Sequence, residues 1–403
     1  MMNVHNGSET ILRLAARGDG VTADGRFVPG AVPGDTVSAE GVIVPGPGHV
    51  QPACRHFGVC GGCQLQHVAE PLLADFARDR ILEPLARAGI TPKRIMPVHV
   101  SPPGSRRRAA MRATKRNGRI MLGFNAAGTH DLVDIEECPV LRPRLFALVE
   151  PLRALLSRHI GERSAIAVTM TDTDQGVDLS LSNLQARQLP VIEGLTEFAA
   201  NYGLARLSLA GPDGPETIVA TSPPTIRMGG VAVQVPPGAF LQATADGEAA
   251  LVGAVQDIVG ASRHIADLFA GAGTFALPLA ASARILAADA AGPALKALEQ
   301  AARASGRPVQ IDHRDLFRRP YVVDELDRFD AVVIDPPRAG AIAQSAELAQ
   351  SRVPAIAAVS CNPATFARDA ERFVAGGYTL DRLWPVAQFR WSTHVELAAE
   401  FRR

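Results

Sequence analysis

The C-terminal part of the chain alternates short apolar runs with segments of helical spacing. Strand-like apolar runs cover residues 264–269, 284–288, 309–311, 329–334 and 355–360, and two later runs cover residues 380–389 and 394–401. Short continuous apolar runs are typical of strands that are buried on both faces of a parallel sheet. Residues 236–403 are therefore predicted to form an α/β domain with a doubly wound sheet of about seven strands.

Residues 9–44 show a different pattern, in which short strand candidates are separated by closely spaced glycine and proline. Gly18, Gly20, Pro33 and Gly34 punctuate this stretch. Such dense punctuation is typical of a small β-barrel. Because the stretch is short for a complete OB-like barrel, we predict a shortened barrel over residues 1–50, with nucleic-acid binding as one role open to it.

The middle of the chain mixes both periodicities. Apolar residues recur at helical spacing over 71–88, 145–160 and 189–202, and strand-like runs cover 119–124, 129–135, 165–170 and 176–181. The first helical segment ends at Gly89, a residue favoured just after a helix. We predict an α+β central domain over residues 51–235, whose helix 71–88 could pack on the C-terminal domain.

The length and composition fit an ordinary globular protein. The 403 residues suffice for two or three domains, and 47% hydrophobic with 20% charged residues is a common balance. The apolar runs are shorter than the roughly 18 residues of a membrane helix. Residues 1–10 contain no apolar segment of a secretory signal. These features predict a cytoplasmic protein, which we expect to be a monomer.

The net charge of +0 conceals an uneven distribution. Residues 84–130 contain no Asp or Glu but ten Lys and Arg, and seven of these cations lie between positions 106 and 119. A charge run is most often a solvated face, but a run of cations without anions also suits a phosphate backbone. The sequence predicts an RNA-facing surface that includes Arg106, Arg107, Arg108, Arg112, Lys115, Arg116 and Arg119.

Four of the five cysteines suggest a metal site. Cys54, Cys60 and Cys63 form a tight cluster, and Cys138 precedes a proline farther along the chain. A Cys-x2-Cys pair allows two thiolates to reach one metal, and a Cys-Pro pair also ends the ligand run of bacterial ferredoxins. Structural zinc and a 4Fe–4S cluster both fit this spacing, and a loop without metal is the simpler alternative.

The fifth cysteine, Cys361, follows the apolar run 355–360 in the sequence Ser360-Cys-Asn-Pro363. The carboxyl ends of strands are where open α/β sheets carry their chemistry. An accessible thiolate there could act as a nucleophile. The alternative is a small buried hydrophobic residue, which is the usual role of a free cysteine.

Two further strand ends carry candidate ligand-binding residues. Gly271 and Gly273 follow the first strand of the domain, and Asp289 ends the next. Glycines allow close backbone approach to a ligand, and an acid at the second strand end can bind a ribose, so NAD and S-adenosylmethionine both fit. The later motif Asp335-Pro-Pro-Arg338 favours S-adenosylmethionine, because methyltransferases use such a rigid turn around a base or amine substrate.

Residues 236–403 resemble the RNA 5-methyluridine methyltransferase family. The resemblance rests on five motifs: Phe240-Leu-Gln242, Asp267-Leu-Phe-Ala-Gly-Ala-Gly-Thr-Phe275, Asp335-Pro-Pro-Arg338, Ser360-Cys-Asn-Pro363 and His394-Val-Glu396. It implies a Rossmann-like class I S-adenosylmethionine-dependent methyltransferase domain. The barrel resembles a shortened TRAM domain, and the four clustered cysteines stand where the 23S rRNA members bind a 4Fe–4S cluster. The tRNA-specific branch lacks these cysteines.

The resemblance also implies roles for individual residues. Cys361 would be the nucleophile and Glu396 the general base. The cofactor and uracil pocket would be lined by Gln242, Phe269, Thr274, Asp289, Asp315 and Asp335. Two positions depart from the family pattern, since Thr274 replaces an asparagine and Asp289 replaces a frequent glutamate.

The sequence thus predicts an S-adenosylmethionine-dependent 23S rRNA (uracil-5)-methyltransferase that carries a 4Fe–4S cluster. A tRNA uracil-5 methyltransferase is the alternative within the same class. An inactive RNA-binding or chaperone protein is the alternative from another class, and the presence of both Cys361 and Glu396 argues against it.

Overall fold

The computed structural model describes residues 8–184, 188–211 and 214–403. Residues 1–7, which belong to the predicted barrel and to the N-terminal segment without a secretory pattern, lie outside the described residues. In the described part of the chain, no helix combines the length and apolar character that crossing a membrane requires.

The N-terminal sheet is small, antiparallel and curled, as the glycine and proline punctuation predicts. Its strands, in the spatial order β3-β2-β1-β4-β5, are β1 (Glu9–Leu14), β2 (Gly20–Thr22), β3 (Phe27–Val28), β4 (Thr36–Val37) and β5 (Ile43–Val44). Ile11, Val28 and Val37 fill its interior. A Cβ atom at Gly20 would lie 2.8 Å from the carbonyl oxygen of Ala31, so the curl requires glycine there.

A long helix and two short strands follow the cysteine loop: α1 (Glu70–Arg87), β6 (Arg94–Ile95) and β7 (His99–Val100). The helix begins with Pro71 in its first turn and is followed by Gly89 at φ +71°, close to the predicted bounds. Leu73 and Phe76 pack beside the cysteine loop, whereas Ile81 and Leu85 enter the core of the C-terminal sheet. Helix α1 therefore contacts both parts of the molecule.

The central segment forms the predicted α+β arrangement. Its elements are β8 (Arg108–Arg116), β9 (Arg119–Asn125), β10 (Leu132–Asp134), α2 (Pro143–Phe146), α3 (Val149–His159), β11 (Ala165–Thr173), β12 (Gly176–Ser182), α4 (Leu189–Asn201), β13 (Arg206–Gly211) and β14 (Gly214–Ala220). The strands form one sheet in the order β10-β9-β8-β11-β12-β13-β14. Alternate residues of β8, including Met111 and Ala113, face the core of this sheet.

The predicted helix 145–160 is two helices, α2 and α3. The cause is Pro151, which lies in the first turn of α3. Proline has no N–H for the carbonyl four residues earlier, and its ring would clash with that carbonyl in a continuous helix. A proline is tolerated in a first turn, so the chain starts a new helix at Val149 instead of extending α2.

The C-terminal part is the predicted doubly wound domain. A hairpin precedes it, and together their elements are β15 (Thr225–Met228), β16 (Val231–Gln234), α5 (Ala245–Val259), β17 (His264–Leu268), α6 (Ala276–Leu279), β18 (Arg284–Asp289), α7 (Gly292–Ala304), β19 (Val309–His313), α8 (Val323–Leu326), β20 (Ala331–Ile334), α9 (Ile342–Gln350), β21 (Ala355–Ser360), α10 (Pro363–Ala375), β22 (Thr379–Ala387) and β23 (Glu396–Arg402). The hairpin packs on the sheet through Ile226, Met228 and Val233.

Strand order in this sheet is β19-β18-β17-β20-β21-β23-β22-β6, with β7 also paired to β22. Strands β17 to β21 are parallel, and β23 runs antiparallel to both of its neighbours. The predicted seven strands are all present, and β6 and β7 extend the sheet from outside the C-terminal domain. Two-residue strands are too short to leave a periodic pattern, which is why the sequence did not indicate them.

The direction of winding reverses at β17, because β18 and β19 lie on one side of it and β20 and β21 on the other. In open α/β sheets, such a reversal opens a crevice at the carboxyl ends of the strands, where ligands bind. The glycine loop and the ends of β18, β20 and β21 all meet at this edge. The topology therefore predicts a ligand site at this edge of the sheet.

Candidate active site

A single cavity of about 680 Å³ occupies this crevice. It brings together every residue that the sequence predicted for catalysis and cofactor binding: Gln242, Phe269, Thr274, Asp289, Asp315, Asp335, Cys361 and Glu396. Parallel strands end at one edge of the sheet, so side chains that are far apart in the sequence converge there. Their individual roles stay predictions.

The glycine loop between β17 and α6 shapes one wall of the cavity. Gly271 (φ +53°) and Gly273 (φ +100°) both have left-handed backbones that favour glycine. A Cβ atom at Gly273 would lie 2.5 Å from Leu298 Cδ1, whereas Gly271 faces open space in the cavity lining. The loop can therefore bring backbone atoms close to a ligand.

Asp289 is held by this loop. The N–H of Gly271 donates to its Oδ2 at 2.9 Å, and the N–H of Ala291 donates to its Oδ1 at 2.7 Å. Each carboxylate oxygen keeps a further lone pair, so Asp289 can also accept hydrogen bonds from a diol. The shorter reach of aspartate at this position is accompanied by direct anchoring to the glycine loop.

Two phenylalanines give the cavity an aromatic wall. Phe269 follows β17 with φ +64°, a conformation uncommon for a residue with a side chain, and its ring centroid lies 5.4 Å from that of Phe317. Phe317 is 51% exposed. Its backbone N–H donates to Oδ1 of Asp315 at 3.0 Å, which fixes the position of this part of the chain. Sequence reasoning missed Phe317, although an aromatic residue two positions after the predicted cofactor contact Asp315 is a usable signal.

The acids in the crevice are strongly perturbed. Burial, and then the negative charge of Asp335, raises the pKa of Glu396 to about 8. Burial, and then the charge of Asp289, raises the pKa of Asp335 to about 7. Asp267, wholly buried at the end of β17, has a pKa well above its usual range, first from burial and then from Asp335. The crevice therefore holds several carboxyl groups close together, and a bound cation or proton would reduce their mutual repulsion.

Cys361 ends β21 in the half-buried part of the same cavity. Burial, followed by the charges of Glu396 and Asp335, raises the pKa of its thiol to about 11, and Arg338 opposes this shift. The next residue, Asn362, caps α10 by accepting the Ala364 N–H, and its Nδ2 donates to the Arg338 carbonyl at 2.9 Å. The cap thereby ties the Cys361 turn to the Asp335-Pro-Pro-Arg338 turn.

Arg107 corrects the prediction of a uniform cationic face. It is only 5% exposed, and its guanidinium forms an ion pair with Glu248 on α5. Its Nε also donates to the carbonyl of Gln242 at 3.0 Å. Arg107 therefore supports the cavity wall and is removed from the predicted RNA surface. The sequence could not reveal this, because both partners lie more than a hundred residues away.

The other cations of the acid-free stretch lie in two groups, one at each end of β8. Arg106 and Arg108 are half-buried and, within the described residues, have no carboxylate at ion-pair distance. Arg106 also lies 5.4 Å from the ring centroid of Phe389. At the other end, Arg112 and Arg116 line an indentation at the β8–β9 turn, while Lys115 caps α3 through the Ser157 carbonyl.

The four clustered cysteines are half-buried neighbours. Burial raises the pKa of Cys63 to about 11, with further upward contributions from Cys138, Cys60 and Cys54 and an opposing hydrogen bond from Gln66. In the part of the chain that the structure describes, however, no three His, Cys, Asp or Glu side chains are grouped as metal ligands. As placed, the thiols share one neighbourhood without forming a metal centre.

Comparison with known proteins agrees with this geometry. Residues 230–402 match the family model described as tRNA (Uracil-5-)-methyltransferase. An uncharacterised RNA methyltransferase of Zymomonas mobilis is 46% identical, over 98% of this chain and 99% of its own length. The 23S rRNA (uracil(1939)-C(5))-methyltransferase RlmD of Edwardsiella ictaluri is 33% identical, over 88% of this chain and 82% of its own.

The chain belongs to the RNA (uracil-5-)-methyltransferase family. The fold agrees, because the crystal structure of the Pyrococcus abyssi tRNA (uracil-54, C5)-methyltransferase in complex with S-adenosyl-L-homocysteine superimposes with a TM-score of 0.77. That comparison covers 98% of this chain and all of the other, at 22% identity. This member of the RNA (uracil-5-)-methyltransferase family is accordingly an enzyme with an S-adenosylmethionine-dependent methyltransferase domain, and its substrate is RNA.

The buried glutamate should make stability depend on pH. Below its ordinary pKa of 4.5, Glu396 is protonated both folded and unfolded. Between pH 4.5 and about 8, the folded state keeps a proton that the unfolded state has released, so Glu396 lowers the stability of the fold increasingly as pH rises. We expect Glu396→Gln to raise Tm by a few degrees at pH 9, at about 1 °C per kcal/mol for a chain of this length, and by less at pH 5.

The matched control is Glu371→Gln, which changes an exposed glutamate on α10. Its Tm difference from the unaltered protein should stay flat across the same pH range. Parallel Tm profiles for Glu396→Gln and the unaltered protein would contradict the assignment of a buried, destabilising carboxyl group.

Proposed function

We propose that the chain methylates C5 of uridine in 23S rRNA, with Cys361 as nucleophile, Glu396 as general base and S-adenosylmethionine as methyl donor. The observation that carries the proposal is one cavity that contains a strand-end thiol, a buried glutamate of raised pKa and a glycine loop. Each of these features has a separate task in uracil-5 methylation.

The cavity residues fit S-adenosylmethionine. The two left-handed glycines leave room for backbone contact, Asp289 has lone pairs for ribose hydroxyls, and Phe269 with Phe317 offers flat apolar surface for a purine. The surrounding carboxyl groups suit a cation. When bound, the cofactor supplies a methyl group on a positively charged sulfur. We assign its contacts to Gln242, Phe269, Thr274, Asp289, Asp315 and Asp335.

The chemistry explains why a thiol and a base are both needed. C5 of uracil is a weak nucleophile, but addition of the Cys361 thiolate to C6 generates an enolate with nucleophilic character at C5. After C5 has gained the methyl group, Glu396 removes the remaining C5 proton. The electron pair of that C–H bond re-forms the C5–C6 double bond, and the bond between C6 and Cys361 Sγ breaks.

The raised pKa values suit this sequence of events. Cys361 is largely protonated while Glu396 and Asp335 carry negative charge nearby, since their charges contribute to its pKa of about 11. A cation bound among these acids lowers the pKa of Cys361 and so favours the thiolate. Glu396, with a pKa of about 8, is a stronger base than an exposed glutamate.

The choice of 23S rRNA rests on the cysteines and on a relative. Cys54, Cys60, Cys63 and Cys138 stand where the 23S rRNA members bind their cluster, and RlmD of Edwardsiella ictaluri, 33% identical, is named for 23S rRNA. Methylation of tRNA is the second candidate and is disfavoured by the same cysteines. An inactive RNA-binding protein is disfavoured because Cys361 and Glu396 line one cavity.

We propose that the four thiols bind a 4Fe–4S cluster, with structural zinc as the alternative. Thiolates are the ligands of both centres, and the four side chains are close enough to influence one another electrostatically. The role would be structural or RNA-positioning, because methyl transfer to C5 contains no redox step. The three-domain division at residues 50 and 235, the cytoplasmic location and the monomeric state stay predictions.

RNA contacts are proposed between the cysteines and the cavity. Arg80, Arg106, Arg108 and Arg338 have no carboxylate at ion-pair distance among the described residues. Three of these cations lie near His394: its pKa is lowered first by burial and then by the charges of Arg338, Arg106 and Arg80. Cations without a carboxylate partner near His394, two residues before Glu396, suit the phosphates that flank a flipped nucleotide.

Substitution of the two catalytic residues should separate their roles. Cys361→Ala should abolish methylation and leave S-adenosylhomocysteine affinity unchanged, because the thiol acts on uracil. Glu396→Gln should accumulate a covalent protein–RNA adduct, visible as a slow band on a denaturing gel, because proton removal follows addition. The double variant should form no adduct. Turnover by Cys361→Ala would refute the mechanism.

Metal analysis should identify the cysteine site. Anaerobically purified protein should contain about four irons per chain. Cys63→Ala should lose them, and Cys361→Ala, which removes the thiol outside the cluster, should retain them. One tightly bound zinc per chain, lost in the same Cys63 variant, would instead establish the zinc alternative.

Salt titration should test the RNA surface. Arg106→Ala combined with Arg108→Ala should weaken RNA binding and reduce the log–log salt slope by about one for each phosphate that the protein no longer neutralises. Arg352→Ala combined with Arg372→Ala, outside the acid-free stretch, is the control and should retain the slope. S-adenosylhomocysteine affinity should stay constant in both. An unchanged slope in the Arg106 and Arg108 variant would exclude these residues as phosphate ligands.

A further inference from the structure

Gln388, directly after β22, is a buried amide that no step of the proposed mechanism uses, although it also hydrogen-bonds to Glu396 and opposes the rise in the pKa of that carboxyl. It is only 2% exposed and does not line the cavity itself. We infer that Gln388 is a positioning residue that fixes the side-chain amide of Gln242 with its NH2 group toward the catalytic cavity. The inference rests on the proposed function for the identity of the ligands, but its geometry does not depend on it.

The direction of both amides follows from a single backbone group. The N–H of Ala243 donates to Oε1 of Gln388 at 3.0 Å, and a backbone N–H can only donate. Nε2 of Gln388 must therefore face the other way, where it donates to Oε1 of Gln242 at 2.7 Å. The oxygen of Gln242 is thereby turned toward Gln388, and its NH2 group is left for the cavity that Gln242 lines.

The surroundings keep this pair in place. A Cβ atom at Gly247 would lie 2.6 Å from Cβ of Gln388, so Gln388 is packed directly against the first turn of α5. On the other side, Arg107 holds the backbone of the same wall. Its side-chain Nε donates to the Gln242 carbonyl, and its backbone N–H donates to the Ala243 carbonyl at 2.9 Å. Backbone and side chain of Gln242 are thus fixed by different residues.

A locked donor has a defined preference. Gln242 presents N–H groups to the cavity, so it selects an oxygen acceptor on a ligand. Two sources carry that chemistry here: a carbonyl of the target uracil and the carboxylate of the cofactor. Cytosine carries an amino donor in place of O4 of uracil, so contact at O4 would also distinguish the two bases. Leaving this donor unpaired would penalise the wrong ligand.

A double-mutant cycle tests whether Gln388 acts through Gln242. Gln388→Met, Gln242→Met and the double variant are compared in Kd for S-adenosylhomocysteine and in Kd for a uridine-containing single-stranded RNA and its cytidine counterpart. We expect Gln388→Met to weaken one of these by about 5-fold, the equivalent of one hydrogen bond. It should have no further effect in the Gln242→Met background, because coupled residues are not additive.

The two arms identify the acceptor. A change in S-adenosylhomocysteine affinity assigns the contact to the cofactor carboxylate, and a smaller preference for uridine over cytidine assigns it to the base. Effects that multiply in the double variant would indicate a merely structural role and overturn the inference. Unchanged affinity for both ligands in a folded Gln388→Met protein would also overturn it.

A second variant guards against simple misfolding. Gln388→Glu keeps the shape and the acceptor for the Ala243 N–H, but when ionised it cannot donate to Gln242, whose amide must then turn its oxygen to the cavity. Affinity for the selected ligand should fall at high pH and recover at low pH, where the new carboxyl group is protonated and donates again. Glu396 hydrogen-bonds to position 388 and has a pKa of about 8, so the comparison is made in the Glu396→Gln background, with and without Gln388→Glu. An affinity ratio that is independent of pH there contradicts the inference.

These measurements also separate the inference from the proposed function. S-adenosylhomocysteine binding needs no turnover and no knowledge of the natural RNA. Failure of the unaltered protein to methylate 23S rRNA would refute the proposed substrate and leave the cycle interpretable, whereas additivity in the cycle would leave the methylation chemistry intact.

Discussion

The burial of several carboxyl groups in one crevice is the constraint on which the site depends. Glu396 and Asp335 are held where burial and mutual repulsion raise their pKa values to about 8 and 7. Such an arrangement costs stability, which the rest of the fold has to offset. The reversal of strand order at β17 creates the crevice, and the hydrogen bond from Gly271 to Asp289 fixes its acidic wall. A cationic cofactor bound there would relieve part of this repulsion.

Two consecutive arginines connect this crevice to the rest of the chain. Arg107 turns inward to Glu248 and the backbone of Gln242, whereas Arg106 lies beside the ring of Phe389 and near Cys63 and Cys138. The start of β8 therefore joins the cavity wall to the cysteine loop within two residues.

The sequence predicted most of the fold and eight residues that line the cavity, and the reason is geometric. Strand-end motifs such as Ser360-Cys-Asn-Pro363 need only the register of their own strand, and a parallel sheet then brings them together. The failures concern partners that no local pattern contains. Arg107 looked solvated because Glu248 is distant in sequence, and Gln388 had no signal at all. The break at Pro151 was locally visible, but apolar spacing continued across it.

If the cysteine loop binds a metal as proposed, the position of Arg106 would connect that metal to RNA binding without electron transfer. Its guanidinium is largely desolvated, which lowers its pKa, and the thiols of Cys138 and Cys63 are the groups that oppose this shift. Thiolates that hold a metal are permanently negative, so a metal centre there would stabilise the desolvated positive charge of Arg106. A charged Arg106 beside Phe389 can hold a phosphate next to an aromatic surface. Metal binding would then act on RNA affinity, while in the proposed mechanism Cys361 and Glu396 act on the base.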